Sequence, residues 1–235
     1  MRKMTYAAGA LSLAASLAFA APAQAGGWHH DDDPALLSVL HAVPGLTVDV
    51  WVNGKLTLDD FTPGTLAGPL ELAPGDYQIA ITAADATSAA NPVIGPVDVD
   101  LEGGGNYTAV AHLNTDGVPT ASLFTNDTKA PGDDEKGKLT VRHVAAAPAV
   151  DVLAGGAPVI EGLSNPDEAT LKLKAGTISA SVAAAGTTDP VIGPADITVE
   201  GGKNTIVYAW GSLADGTLDV AVQVVDGKKP AGDCD

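Results

Sequence analysis

The sequence predicts an all-β chain: two tandem immunoglobulin-like β-sandwich domains after a cleaved signal peptide. Three observations predict it. The chain repeats itself: Val39-Leu40-His41 followed by Val48-Asp49-Val50 recurs as Val141-Arg142-His143 followed by Val150-Asp151-Val152. Short runs of β-forming residues recur at intervals of about 8 to 12 residues, bounded by Gly, Pro, Asn and Asp, which is the spacing of a sandwich. No window beyond the first 25 residues sustains the 3.6-residue period of an amphipathic helix. The Cys…Trp…Cys pattern of antibody domains is missing, so immunoglobulin-like refers to architecture alone.

Residues 1–25 read as a signal peptide. Arg2 and Lys3 precede the uncharged run Ala7 to Ala20, and Ala23-Gln24-Ala25 supplies a small-x-small cleavage pattern. The run is shorter than the roughly 20 residues that a spanning helix needs, so no membrane insertion is expected. Residues 26–35 form an acidic His/Asp tail, 36–126 the first sandwich, 127–138 a charged linker, 139–225 the second sandwich and 226–235 a polar tail. The repeat offset is 102 at the histidines, 101 at Gly75/Gly176 and 98 from the Pro-Val-Ile-Gly-Pro boxes onward, so the length changes fall in loops.

Within the first sandwich, Thr47 to Val52 alternates apolar and polar and is followed by Asn53-Gly54, the strongest local hairpin signal because both positions need positive φ. Gly155-Gly156 takes its place in the second copy. Leu70-Glu71-Leu72, Pro74-Gly75 and Tyr77 to Ile81 read as a second hairpin. Val97 to Leu101, Glu102-Gly103-Gly104-Gly105 and Tyr107 to Ala111 read as a third. About seven strands per copy result. The boxes Pro92 to Pro96 and Pro190 to Pro194 read as connections, since proline removes a ladder donor, with Val93-Ile94 and Val191-Ile192 plugging the core edge.

After residue 25, 29 acidic residues face 10 basic ones, a formal charge of −19. That sign excludes nucleic acid as a partner and disfavours anionic membranes; it serves solubility through self-repulsion. The single cysteine, Cys234, cannot form an internal disulfide, which leaves an intermolecular one or a passenger on the tail.

The densest cluster of ligand-type side chains is His29-His30-Asp31-Asp32-Asp33. Imidazole and carboxylate suit Cu²⁺ or Zn²⁺, and a flexible tail implies weak binding. His41 and His143 hold the same repeat position. They read as structural histidines bonding backbone at the sheet edge, with a ligand role as the alternative. Asp49 and Asp151 either face solvent or accept turn N–H groups. Asp59-Asp60 has a glycosidase-like acid pairing, and Glu161, at offset 101 from Asp60, is the acid opposite it in the second copy. No Gly-x-Ser-x-Gly elbow, His-Glu-x-x-His motif, phosphate loop or reactive cysteine is present.

His41-Ala42-Val43-Pro44, Val48 to Gly54 and Leu72-Ala73-Pro74-Gly75-Asp76-Tyr77 together resemble a bacterial secreted domain family of unknown function, the one numbered 4397, often found in tandem. The second copy matches through His143, Val150-Asp151-Val152 and Ala175-Gly176. The resemblance implies a secreted or cell-surface β-sandwich and brings no catalytic residues. The expected function is therefore a non-enzymatic binding or structural protein acting on an extracellular glycan, matrix or protein ligand. A secreted metal chelator using the tail, or a hydrolase with an acid pair, are the alternatives.

Overall fold

The computed structural model describes residues 33–228. Each copy forms eight strands, one more than the sequence reading. The first holds β1 (Ala35–Ala42), β2 (Val48–Val52), β3 (Lys55–Phe61), β4 (Leu66–Leu72), β5 (Gly75–Ala83), β6 (Ile94–Leu101), β7 (Asn106–Leu113) and β8 (Pro119–Thr125). The second holds β9 (Lys136–Ala146), β10 (Val150–Ala154), β11 (Ala157–Leu163), β12 (Glu168–Lys174), β13 (Gly176–Ala184), β14 (Pro190–Val199), β15 (Lys203–Ser212) and β16 (Asp219–Asp226).

Both copies have one topology. Sheets β4-β1-β7-β8 and β3-β2-β5-β6 make the first sandwich, and β12-β9-β15-β16 and β11-β10-β13-β14 repeat that order in the second. Pairing is antiparallel except for β1 with β7 and β9 with β15, which run parallel. The β2–β3 hairpin turns on Asn53 and Gly54 at φ 50° and 73°, and its counterpart on Gly155 and Gly156 at 57° and 83°. These are the left-handed conformations that the tight hairpin turn requires.

Two expected hairpins are corners instead. β4 pairs with β1 while β5 pairs with β2, so Ala73-Pro74 carries the chain from one sheet to the other. The Glu102 to Gly105 turn does the same between β6 and β7. The proline boxes are also not connections: they begin β6 and β14, which are edge strands. At an edge the missing donor faces away from the ladder, which reconciles proline with pairing. Gly95 (φ 89°) and Gly193 (φ 83°) are needed there because a Cβ would come within 2.8 and 2.9 Å of the Ile79 and Ala180 carbonyl oxygens. Only the isoleucines turn inward. Ile94 is buried and Ile192 packs on the second core, whereas Val93 and Val191 are exposed.

The first core gathers Leu37, Val39, Val48, Val50, Ile79, Ile81 and Tyr107 between its sheets, and the second gathers Leu139, Val141, Val150, Val152, Ile160 and Val207. A third buried cluster belongs to both copies: Leu40, Ala42 and Val110 from the first, with Val144, Ile206, Tyr208, Trp210 and Val225 from the second. Sheet β4-β1-β7-β8 therefore packs on sheet β12-β9-β15-β16, and the chain is a stack of four β-layers. β7 and β15 are buried at nearly every position, as befits strands covered on both faces. A parallel bridge between Lys129 and Lys228 ties the linker to the chain beyond β16.

Candidate functional site

The seam between the copies is where the repeats differ most. Aligned by strand register, Leu40 becomes Arg142, Leu66 becomes Glu168, Val110 becomes Tyr208 and Phe124 becomes Gln223. At these four positions the first copy offers apolar groups and the second polar ones, and the two faces meet. Arg142, 1% exposed, donates from Nε to Glu168 at 2.6 Å and from Nη1 to the Tyr208 hydroxyl at 2.7 Å. Its guanidinium lies 4.3 Å from the Phe124 ring centroid and 5.3 Å from that of Tyr208, a placement that favours a desolvated cation.

The Tyr208 hydroxyl donates to Gln223 Oε1 at 2.6 Å, Thr108 donates to the same oxygen at 3.0 Å, and Gln223 Nε2 donates to Ser38 at 3.2 Å. Burial raises the Tyr208 pKa, so the phenol stays protonated. Asn165 closes one end by donating to the Leu113 and Ala145 carbonyls, one in each copy. Trp210 lies against Gly64 of the first copy, where an added Cβ would come 3.1 Å from the indole, and its Nε1 is buried with no hydrogen-bond partner among the described residues.

Beside this seam a cleft of about 670 Å³ opens between β8 and the β11–β12 region. Leu123, Phe124 and Thr125 line it from the first copy; Ile160, Glu161, Leu163, Pro166, Asp167 and Glu168 line it from the second. Ile160 and Leu163 are buried, while Glu161, Asp167 and Glu168 are exposed. The cleft is open to solvent and sets carboxylates that accept hydrogen bonds beside half-buried Leu123 and Phe124.

The residues singled out by sequence fall elsewhere. His41 and His143 lie in β1 and β9, each 1% exposed. In both, Nε2 meets a loop carbonyl (Leu46 at 2.6 Å, Pro148 at 3.0 Å) and Nδ1 accepts a backbone N–H (Val43, Ala145). Both nitrogens of each ring therefore have backbone partners. Burial lowers both pKa values against the opposing pull of those carbonyls. His112, the counterpart of Trp210, is likewise buried, with Nδ1 on the Leu113 carbonyl and Nε2 on Ser122; burial, then the charge of nearby His143, lowers its pKa.

Asp49 and Asp151 are buried, not solvent-facing. Asp49 accepts the Asp60 N–H at 3.0 Å, and Asp151 accepts those of Gly162 and Gly186 at 2.8 and 2.7 Å. Each pins a bulge on the neighbouring strand, where Asp60 (φ 50°) and Gly162 (φ 67°) take the same left-handed conformation. Register therefore pairs Asp60 with Gly162 and Asp59 with Glu161, correcting the offset of 101. Carboxylate oxygens of Asp49, Asp59 and Asp60 lie within 4.8 Å of one another. Partial desolvation, then the charges of Asp49 and Asp60, raises the Asp59 pKa. The second copy, with glycine at position 162, does not repeat the trio. Of the five ligand-type side chains in the N-terminal tail, Asp33 alone is described, and it is exposed; His29, His30, Asp31, Asp32 and Cys234 lie outside the described residues.

Sequence reasoning missed the whole seam: Arg142, Tyr208, Gln223, Glu168, Phe124 and Asn165. The signal was present in the repeat comparison, since apolar-to-polar changes at Leu40/Arg142, Leu66/Glu168 and Phe124/Gln223 share one face of one sheet.

Comparison with known proteins gives one family. A sequence profile described as Domain of unknown function (DUF4397) matches residues 35–153 and 137–234. No curated protein matches the chain. Among solved structures, one titled "The Bacillus anthracis TIE protein" aligns at 14% identity with a TM-score of 0.22, covering 74% of this chain and 35% of that one. The chain thus spans about a third of that protein's length.

Proposed function

The chain belongs to the DUF4397 family, of which it holds two tandem copies, and on that premise we propose a secreted, non-enzymatic binding protein whose two copies act as one body. The ligand site is the cleft between them, and the ligand is a surface or matrix glycan. The observation that carries this reading is that the cleft needs both copies: its walls come from β8 of one and the β11–β12 region of the other. Sugar hydroxyls suit carboxylates such as Glu161 and Asp167, while the less polar ring faces suit the half-buried Leu123 and Phe124.

A glycan array probed with protein recovered from culture medium tests it. The chain should retain at least one glycan, and Glu161→Ala with Asp167→Ala should weaken that binding tenfold or more. Both side chains are exposed, so folding should be unchanged. An array without retained glycans, or retention indifferent to both substitutions, contradicts the proposal.

A further inference from the structure

We propose that the second sandwich binds a small phenolic molecule in an apolar crevice between its edge strands β11 and β12, at a place that the first sandwich fills with its own Tyr77. The crevice measures about 230 Å³ and is lined by Leu139, Val152, Leu171, Leu173, Ile178 and Ala180, with Val159 and Lys174 at its rim. Leu139 and Val152 are buried core residues, so the crevice reaches into the sandwich interior. Protein interiors leave few voids larger than a water molecule. An apolar cavity of about 150 Å³ is enough to admit benzene, so this one admits a substituted single ring.

Strand register shows what the second copy has lost. Val52 faces Ile79 in the first copy, where Ala154 faces Ala180 in the second. Two residues earlier on the same strands, Tyr77 becomes Ile178. Both changes remove atoms from one face of one strand. In the first copy the depression that remains is lined by Val52, Thr57, Leu70, Leu72 and Tyr77. It stops short of Leu37, Val50 and Ile79, the counterparts of Leu139, Val152 and Ala180. The rim changes as well: exposed Thr57 is replaced by Val159, which is 41% exposed. Shortened core side chains alone do not call for an apolar rim, whereas an apolar ligand entering at this edge does.

The first copy also shows which chemistry the place accepts. The Tyr77 ring packs against the core while its hydroxyl donates to the Ala73 carbonyl at 2.8 Å. Ala73 follows Leu72 as Lys174 follows Leu173, so the Lys174 carbonyl is the corresponding acceptor. The Ala175 N–H donates to the Glu135 carbonyl across the ladder. Hydrogen-bonded and non-hydrogen-bonded positions alternate along an antiparallel strand. The Lys174 carbonyl therefore faces away from β9, off the free edge of β12. A ring seated in the crevice can reach it with a hydroxyl, as Tyr77 reaches Ala73. Lys174 enters through its backbone and not through its charge.

The test is a methyl-detected NMR titration of the chain with p-cresol and with toluene, which has the same ring and methyl group but no hydroxyl. The methyl signals of Leu171, Leu173 and Ile178 should shift with p-cresol, while those of Leu70 and Leu72, at the same place in the first copy, should not. Toluene should bind about tenfold more weakly, the usual effect of one hydrogen bond. Ile178→Tyr, which sets the first copy's residue in the crevice, should abolish p-cresol binding. Glu161→Ala with Asp167→Ala, in the cleft between the copies, should change the affinity less than twofold. Absence of p-cresol binding, shifts of equal size in both copies, toluene bound as tightly as p-cresol, or affinity unmoved by Ile178→Tyr would overturn the proposal. Each of these results leaves the cleft between the copies untouched.

Discussion

Arg142→Ala should destabilise the chain by about 3 kcal/mol, the sum of lost charge-assisted hydrogen bonds and of the space left by a buried side chain. Arg142 is among the largest fully buried side chains, and its guanidinium fills the space between Phe124 and Tyr208. Glu168, 39% exposed at its side chain, can rehydrate, so the loss falls short of stranding a buried charge. Arg142→Leu, which restores the residue of the first copy, should cost less than alanine because it fills volume. Tyr208→Phe should cost about 1 to 2 kcal/mol by leaving Arg142 Nη1 and Gln223 short of a partner. Urea unfolding of variants that keep Trp51 or Trp210 as the one tryptophan, the other and Trp28 being replaced by Phe, checks the origin of the effect. Arg142→Ala should move both transitions together, although Trp51 lies in the other copy; movement of the Trp210 signal alone would contradict a shared seam.

Acid should have the second large effect. His41, His112 and His143 are each 1% exposed, and burial holds each pKa below its ordinary value of about 6.5. A depressed histidine pKa means that the unfolded chain binds more protons as pH falls. The contribution of each neutral imidazole is fully present above about pH 6.5 and is lost as pH drops through the folded values. Protonation also removes the acceptor that His41 offers to Val43 and His143 offers to Ala145. At His112 the incoming proton faces His143 across the seam, while Asp167 relieves only His143. The melting temperature should therefore fall steeply between pH 7 and pH 5. Replacing His112 with Gln, which can keep a hydrogen bond to Ser122, should flatten that fall. An unchanged melting temperature down to pH 5, or an undiminished slope in His112→Gln, would refute this account.

What the sequence made legible was local or repeated. Asn53-Gly54 specifies its turn by backbone conformation alone, and the recurrence of His41 as His143 showed that both copies use an imidazole at that position. Pro74-Gly75 misled because a turn of the same chemistry serves a hairpin and a corner between sheets; pairing is decided by partners far along the chain. The proline boxes misled in the same way, since a proline within a strand is forbidden at the centre of a sheet and allowed at its edge. The seam was legible only in part. Ile206-Val207-Tyr208-Ala209-Trp210 abandons the alternation seen around Asp49, which marks a strand covered on both faces. Arg142 and Glu168 hide that pattern, because a charged residue reads as exposed until its partner across the stack is known.

Differential scanning calorimetry of the chain at neutral pH tests the central claim most directly, namely that the two copies stack into one cooperative body. One transition, with calorimetric enthalpy equal to the van't Hoff enthalpy, is the result required of a four-layer stack joined through Arg142, Tyr208 and Gln223. Two transitions, or a calorimetric enthalpy near twice the van't Hoff value, would mean that each sandwich melts by itself and would contradict it.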